Sequence, residues 1–164
     1  MGSGTLVDIE VGASKALVEL LNARSAKVYA AFWLLDDESS NWAFHIAAQV
    51  FEDSGRHAAY QTIAECLAAI AEPGGLALHS IVVTSRFDPT VRLLGSAIRV
   101  GGMSEVRLSN NVINGVRIPD ALIMLLDLSA PPVAKKTVAK TRRTGLIDAT
   151  AKTGTKSKVK RKKR

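Results

Sequence analysis

The chain has a single cysteine, Cys66, so no disulfide can form within it. Aromatic residues make up only 5% of it, so its core must be built mainly from aliphatic side chains. No apolar run approaches the ~18 residues that a membrane-spanning helix needs. The opening residues, Met1-Gly2-Ser3-Gly4-Thr5-Leu6, lack the basic and apolar stretches of a secretory signal. They also lack the Ser or Thr that a myristoylation signal wants. A cytoplasmic location, with nucleoid association as a variant of it, is the expectation. Several chemistries are missing as well. His45, His57 and His79 are not paired at metal-ligand spacing. There is no Gly-x-Ser-x-Gly elbow, and Gly101-Gly102 lacks the glycine spacing and lysine of a phosphate-binding loop. No catalytic residue, cofactor or metal is therefore expected, and a non-enzymatic role is favoured.

What the chain does have is segregated charge. Residues 1–130 hold 9 Lys and Arg against 14 Asp and Glu, a net of −5. Residues 131–164 hold 13 Lys and Arg against one acid, Asp148, a net of +12. Such a split reads as a folded body with an interaction tail, divided at Pro131-Pro132. The tail has frequent Thr, no aromatics and isolated apolar residues. It cannot bury enough surface to offset its ordering entropy, so disorder is expected.

Lysines spaced along a flexible chain can follow phosphates without reading bases. The chief contacts expected are Lys156, Lys158, Lys160, Arg161, Lys162, Lys163 and Arg164, with Lys135, Lys136, Arg142 and Arg143 as a second cluster. DNA and RNA fit equally. Without aromatics for base stacking, single strands gain no preference. Anionic lipid fits less well, because Leu146-Ile147 is the only apolar pair. A purely solubilising tail is the plain alternative.

In the body, hydrophobic spacing predicts a helix over 14–24, started by Gly12 and Ser14. A β-hairpin is predicted over 27–49 around the polar loop Asp36–Asn41. Its six-residue loop should pair Leu35 with Trp42, Trp33 with Phe44 and Ala31 with Ile46, placing bulky side chains on one face. Phe32, Leu34, Ala43 and His45 take the other face. A long helix is predicted over about 54–71, N-capped by Ser54 and ended by Pro73-Gly74-Gly75. A strand over 78–84 would include His79. Asp88-Pro89 should start a helix that stops at Gly101-Gly102. A strand over 106–109 and a tight turn at Asn114-Gly115 follow. Residues 121–128 suit either a strand or a helix, with Pro119 marking an edge or a start. The fold class is α/β, with α+β as the alternative: one domain, a central mixed sheet and helices packed on it.

Candidate sites in the body are sparse. Cys66 should be a buried, inert thiol. Asp36-Asp37-Glu38 should be a solvated loop rather than a cation site. His45 and His79 should be hydrogen-bonded structural histidines. The best ligand candidate is the strand–helix junction 84–92, where free helix amides and a cation could meet an anion. Arg86, Asp88, Thr90 and Arg92 are its residues. Ser54-Gly55-Arg56-His57 offers a similar helix start, and an anion site gains if both junctions share one edge.

Four segments carry a resemblance: Phe32-Trp33-Leu34-Leu35-Asp36, Gly55–Tyr60, Ser85–Arg92 and Asn114–Ile123. In that order they resemble a group of short uncharacterised bacterial α/β proteins, over residues 15–126. The resemblance implies a bacterial source and a fold, and it brings no activity. Where the group often has tyrosines, Leu122 and Met124 stand here, so any role of those hydroxyls is absent. The tail is similar in composition to the Lys-Ala-rich tails of histone-like bacterial nucleoid proteins. The sequence thus favours an interaction module whose tail binds nucleic acid without sequence preference. Its body would meet a protein partner or a second copy. The alternative is a small-anion-binding protein or enzyme using the 84–92 junction.

Overall fold

In a computed structural model, which describes residue 6, residues 8–70 and residues 74–129, the segment 27–49 forms the expected hairpin. Strands β1 (Val28–Leu35) and β2 (Trp42–Ala48) pair antiparallel, with Leu35 opposite Trp42, Trp33 opposite Phe44 and Ala31 opposite Ile46. The loop is closed by the Asp36 N–H donating to Asn41 O at 2.9 Å. Asp36 also accepts from the backbone amides of Glu38 and Ser39. These bonds, the one from Ser39 first, hold its carboxyl below the usual range, so the acid acts as a turn former. The basic segment 131–164, with every tail contact named above, lies outside the described residues.

The sheet has five strands in the order β3-β2-β1-β5-β4, with β3 (Ile81–Val83), β4 (Val106–Ile113) and β5 (Val116–Leu126). Among the described residues, only β2 and β3 run parallel; the remaining pairs are antiparallel. The fold is thus α/β with a mixed central sheet. Helices α1 (Asp8–Ala23) and α3 (Arg56–Ala69) belong to the core on one face. There Leu17, Leu21 and Ile63 meet Trp33, Phe44, Ile46 and Met124. Helix α4 (Pro89–Ala97) covers the other face, where Val91 and Leu94 join Phe32, Ile123 and Leu126. Both hairpin faces are therefore buried. Cys66 lies in the first core, and burial pushes its thiol pKa up, as an inert thiol requires.

Several local expectations need correction. Helix α1 starts at Asp8 rather than Ser14, with Asp8 and Glu10 in the first turn, where the helix dipole favours acids. Ser14 is a buried residue inside that helix. Its hydroxyl donates to Val11 O at 2.8 Å and accepts from the Trp33 indole N–H at 3.0 Å. The helix expected over about 54–71 is α3, which starts at Arg56, and an unexpected short helix, α2 (Gln49–Ser54), precedes it across Gly55 with φ +85°. Ser54 does not cap: its hydroxyl donates back to Val50 O at 2.6 Å, inside α2. Only glycine enters this backbone region without strain, so the chain turns there and buries Phe51.

The strand over 78–84 shortens to β3, because Leu78–Ser80 forms a 3-10 turn. His79 is therefore exposed in that turn and is no strand residue. The short edge strand is protected by Tyr60, whose hydroxyl donates to Ile81 O at 3.2 Å and accepts from Val83 N–H at 3.3 Å. Helix α4 begins at Pro89 as expected but ends at Ala97, and Val100 then bridges to Leu126. Residues 121–126 are strand. The turn at Asn114-Gly115 has φ +49° and +81°, the mirror-image type that suits a hairpin. Pro119 lies inside β5, in the part that pairs with β4 alone, where the ladder steps from Asp120 to Ile118 and omits it.

Candidate functional site

Three elements bring Tyr29, Glu52 and Arg86 together. Tyr29 comes from β1, Glu52 from α2, and Arg86 from the link between β3 and α4. The Tyr29 hydroxyl donates to Glu52 Oε1. The backbone N–H of Arg86 points at both, 2.9 Å from Tyr29 Oη and 3.0 Å from Glu52 Oε1. Arg86 Nε lies 3.6 Å from Glu52 Oε2, and the two side chains are only 10% and 17% exposed. The guanidinium carbon sits 4.6 Å from the Tyr29 ring centroid, a cation–π distance. Burial, and after it Glu52, pushes the Tyr29 pKa well up, so its hydroxyl stays a donor. Removing one partner of a fully buried pair typically costs about 3–5 kcal/mol, and this partly buried pair stands near the lower end of that range. The cluster thus holds the Arg86 guanidinium in place, with its charge largely balanced by Glu52.

Beside it opens a cavity of about 610 Å³. Val28, Leu125 and Met103 supply apolar wall, and Asn22, Lys27, Gln49 and Asp127 supply polar groups. Lys27 adopts φ +53°, a conformation that costs a non-glycine residue roughly 1 kcal/mol or more. It is held there because Lys27 O accepts from Gln49 N–H at 3.2 Å, while Ala26 O accepts from Val50 N–H at 3.3 Å. These bonds satisfy the first amides of α2, which has no side-chain cap. Asp127 is already engaged: it accepts from Ser129 and from Arg99. Those partners, Ser129 first, lower its pKa to about 2.

The four junction residues do not converge. Arg86 lines the cavity just described. Asp88 caps α4, accepting from the N–H groups of Thr90 at 2.9 Å and Val91 at 3.4 Å. The amides an anion would need are therefore taken by a carboxylate of the chain itself. Thr90 contributes its backbone to that cap, and Arg92 is exposed; neither lines the cavity beside Arg86. The two helix-start junctions do share an edge. A smaller cavity of about 240 Å³ is lined by Arg56 from one and by Thr84, Ser85 and Asp88 from the other. Glu52 lines it too, so it holds two carboxylates beside one arginine.

His45 faces Phe32 across the hairpin, with ring centroids 5.0 Å apart and planes 4° from parallel. It is held by stacking rather than by the expected hydrogen bond, since its buried Nδ1 has no partner among the described residues. Burial lowers its pKa, against a smaller opposing pull from Asp88.

Sequence reasoning missed Tyr29, Glu52, Lys27 and Asp127. Glu52 stands two residues before the expected Ser54 cap, and nothing local marks the other three. Among the described residues, no group of three or more His, Cys, Asp or Glu is placed to hold a metal ion. No described helix is long and apolar enough to cross a membrane. Neither family models, curated proteins nor solved structures contain a match to this chain.

Proposed function

We propose that the protein is a non-enzymatic interaction module whose segment 131–164 holds nucleic acid through phosphates, without reading sequence. The observation that carries this reading is the charge split: +12 over residues 131–164 against −5 over residues 1–130. The body gives indirect support. Among the described residues, five of its nine cations sit in ion pairs: Lys15 with Glu105, Arg24 with Glu65, Arg86 with Glu52, Arg99 with Asp127 and Arg107 with Asp120. A polyanion meets few uncommitted cations there. The body's share in the module is to meet a protein partner or a second copy. Deleting residues 131–164 tests the reading. Retention of duplex DNA at moderate salt should vanish while the body's circular dichroism persists. Equal retention by the truncated chain would refute it.

A further inference from the structure

We propose that the cavity beside Arg86 binds a small organic carboxylate with an apolar body. Its volume of about 610 Å³ suits a small organic molecule rather than a lone ion. Val28, Met103, Leu125 and the Tyr29 side chain offer the apolar body its wall.

The charges set the sign of the ligand. Lys27 and Arg86 both line the cavity, and the carboxylate of Asp127 is occupied by Arg99 and Ser129. Among the described residues, Lys27 forms no ion pair, so its ammonium is the charge left over. Arg86 is fixed by Glu52 and Tyr29 and serves as a preorganised donor whose charge is largely balanced. One uncompensated cation with one balanced guanidinium matches a monoanion better than a phosphate dianion. A carboxylate carries the single negative charge that the Lys27 ammonium lacks among the residues lining the cavity. This site does not depend on the nucleic-acid reading.

The test uses the full chain, with naphthoate as probe and amide chemical shifts as readout. Saturable shifts are expected at Asn22, Lys27, Val28 and the 101–103 loop. The neutral analogue naphthamide should bind about ten-fold more weakly, as should naphthoate to Lys27→Gln, since each loses a charge-assisted hydrogen bond. Lys27 is exposed, so Lys27→Gln should keep the parent melting temperature. Shifts confined to residues 131–164 would overturn the proposal. So would equal affinity for naphthamide, undiminished binding by Lys27→Gln, or inorganic phosphate saturating the same amides as tightly.

Discussion

The Arg86 guanidinium lies 4.6 Å over the Tyr29 ring, and the same residue's backbone N–H donates to the Tyr29 hydroxyl at 2.9 Å. One residue thus binds the other at both ends of its side chain. The link between β3 and α4 is thereby fixed to the start of β1, with Glu52 of α2 closing the triangle.

Glu52→Gln should destabilise the body by about 3 kcal/mol, because it leaves a buried guanidinium without its counter-charge. The double variant Glu52→Gln with Arg86→Met should cost less than Glu52→Gln alone, since no charge is then stranded. Urea unfolding of both variants checks this. A loss under about 1 kcal/mol for Glu52→Gln would mean that the pair contributes no more than a surface ion pair.

Ser14→Ala should cost about 1–3 kcal/mol, although it removes a single oxygen. The hydroxyl accepts the Trp33 indole N–H at 3.0 Å in a fully buried setting, and alanine would leave that donor unpaired. Unfolding followed by tryptophan fluorescence measures the loss. A change within about 0.3 kcal/mol would show the indole satisfied elsewhere.

Acid should weaken the body through His45. Burial holds its pKa below the ordinary 6.5, so the unfolded chain binds the proton more readily. The stability is therefore complete above pH 6.5 and is lost as pH falls through the folded value. His45→Phe keeps the stack on Phe32 and removes the titration. Its melting temperature should fall less than the parent's between pH 7 and pH 5. Parallel curves would assign the acid sensitivity to other groups.

The hairpin was legible in the sequence because its information is local. Trp33, Phe44 and Ile46 alternate around a loop of fixed length, so the register follows from burial alone. Asp88-Pro89 and Asn114-Gly115 were equally readable, since each carries its own backbone geometry. Helix α2 ahead of Gly55 was not, because Ser54 after Glu52 and Asp53 imitates a helix start. The Tyr29–Glu52–Arg86 cluster was beyond local reasoning, because its members are 23 and 34 residues apart along the chain. Arg86 alone is marked by sequence, through its place at a strand–helix junction. Its partners came from elements that only the sheet order brings near.

The most direct test of the central claim is the salt dependence of duplex binding by the full chain, measured by anisotropy on two unrelated sequences. With about 8 phosphates neutralised, log affinity should fall against log salt with a slope near −7, equally for both duplexes. Replacing Lys156, Lys158, Lys160, Arg161, Lys162, Lys163 and Arg164 with Gln should flatten that slope by more than half. An unchanged slope in that variant, or an affinity that differs ten-fold between the two duplexes, would contradict a tail that grips phosphates alone.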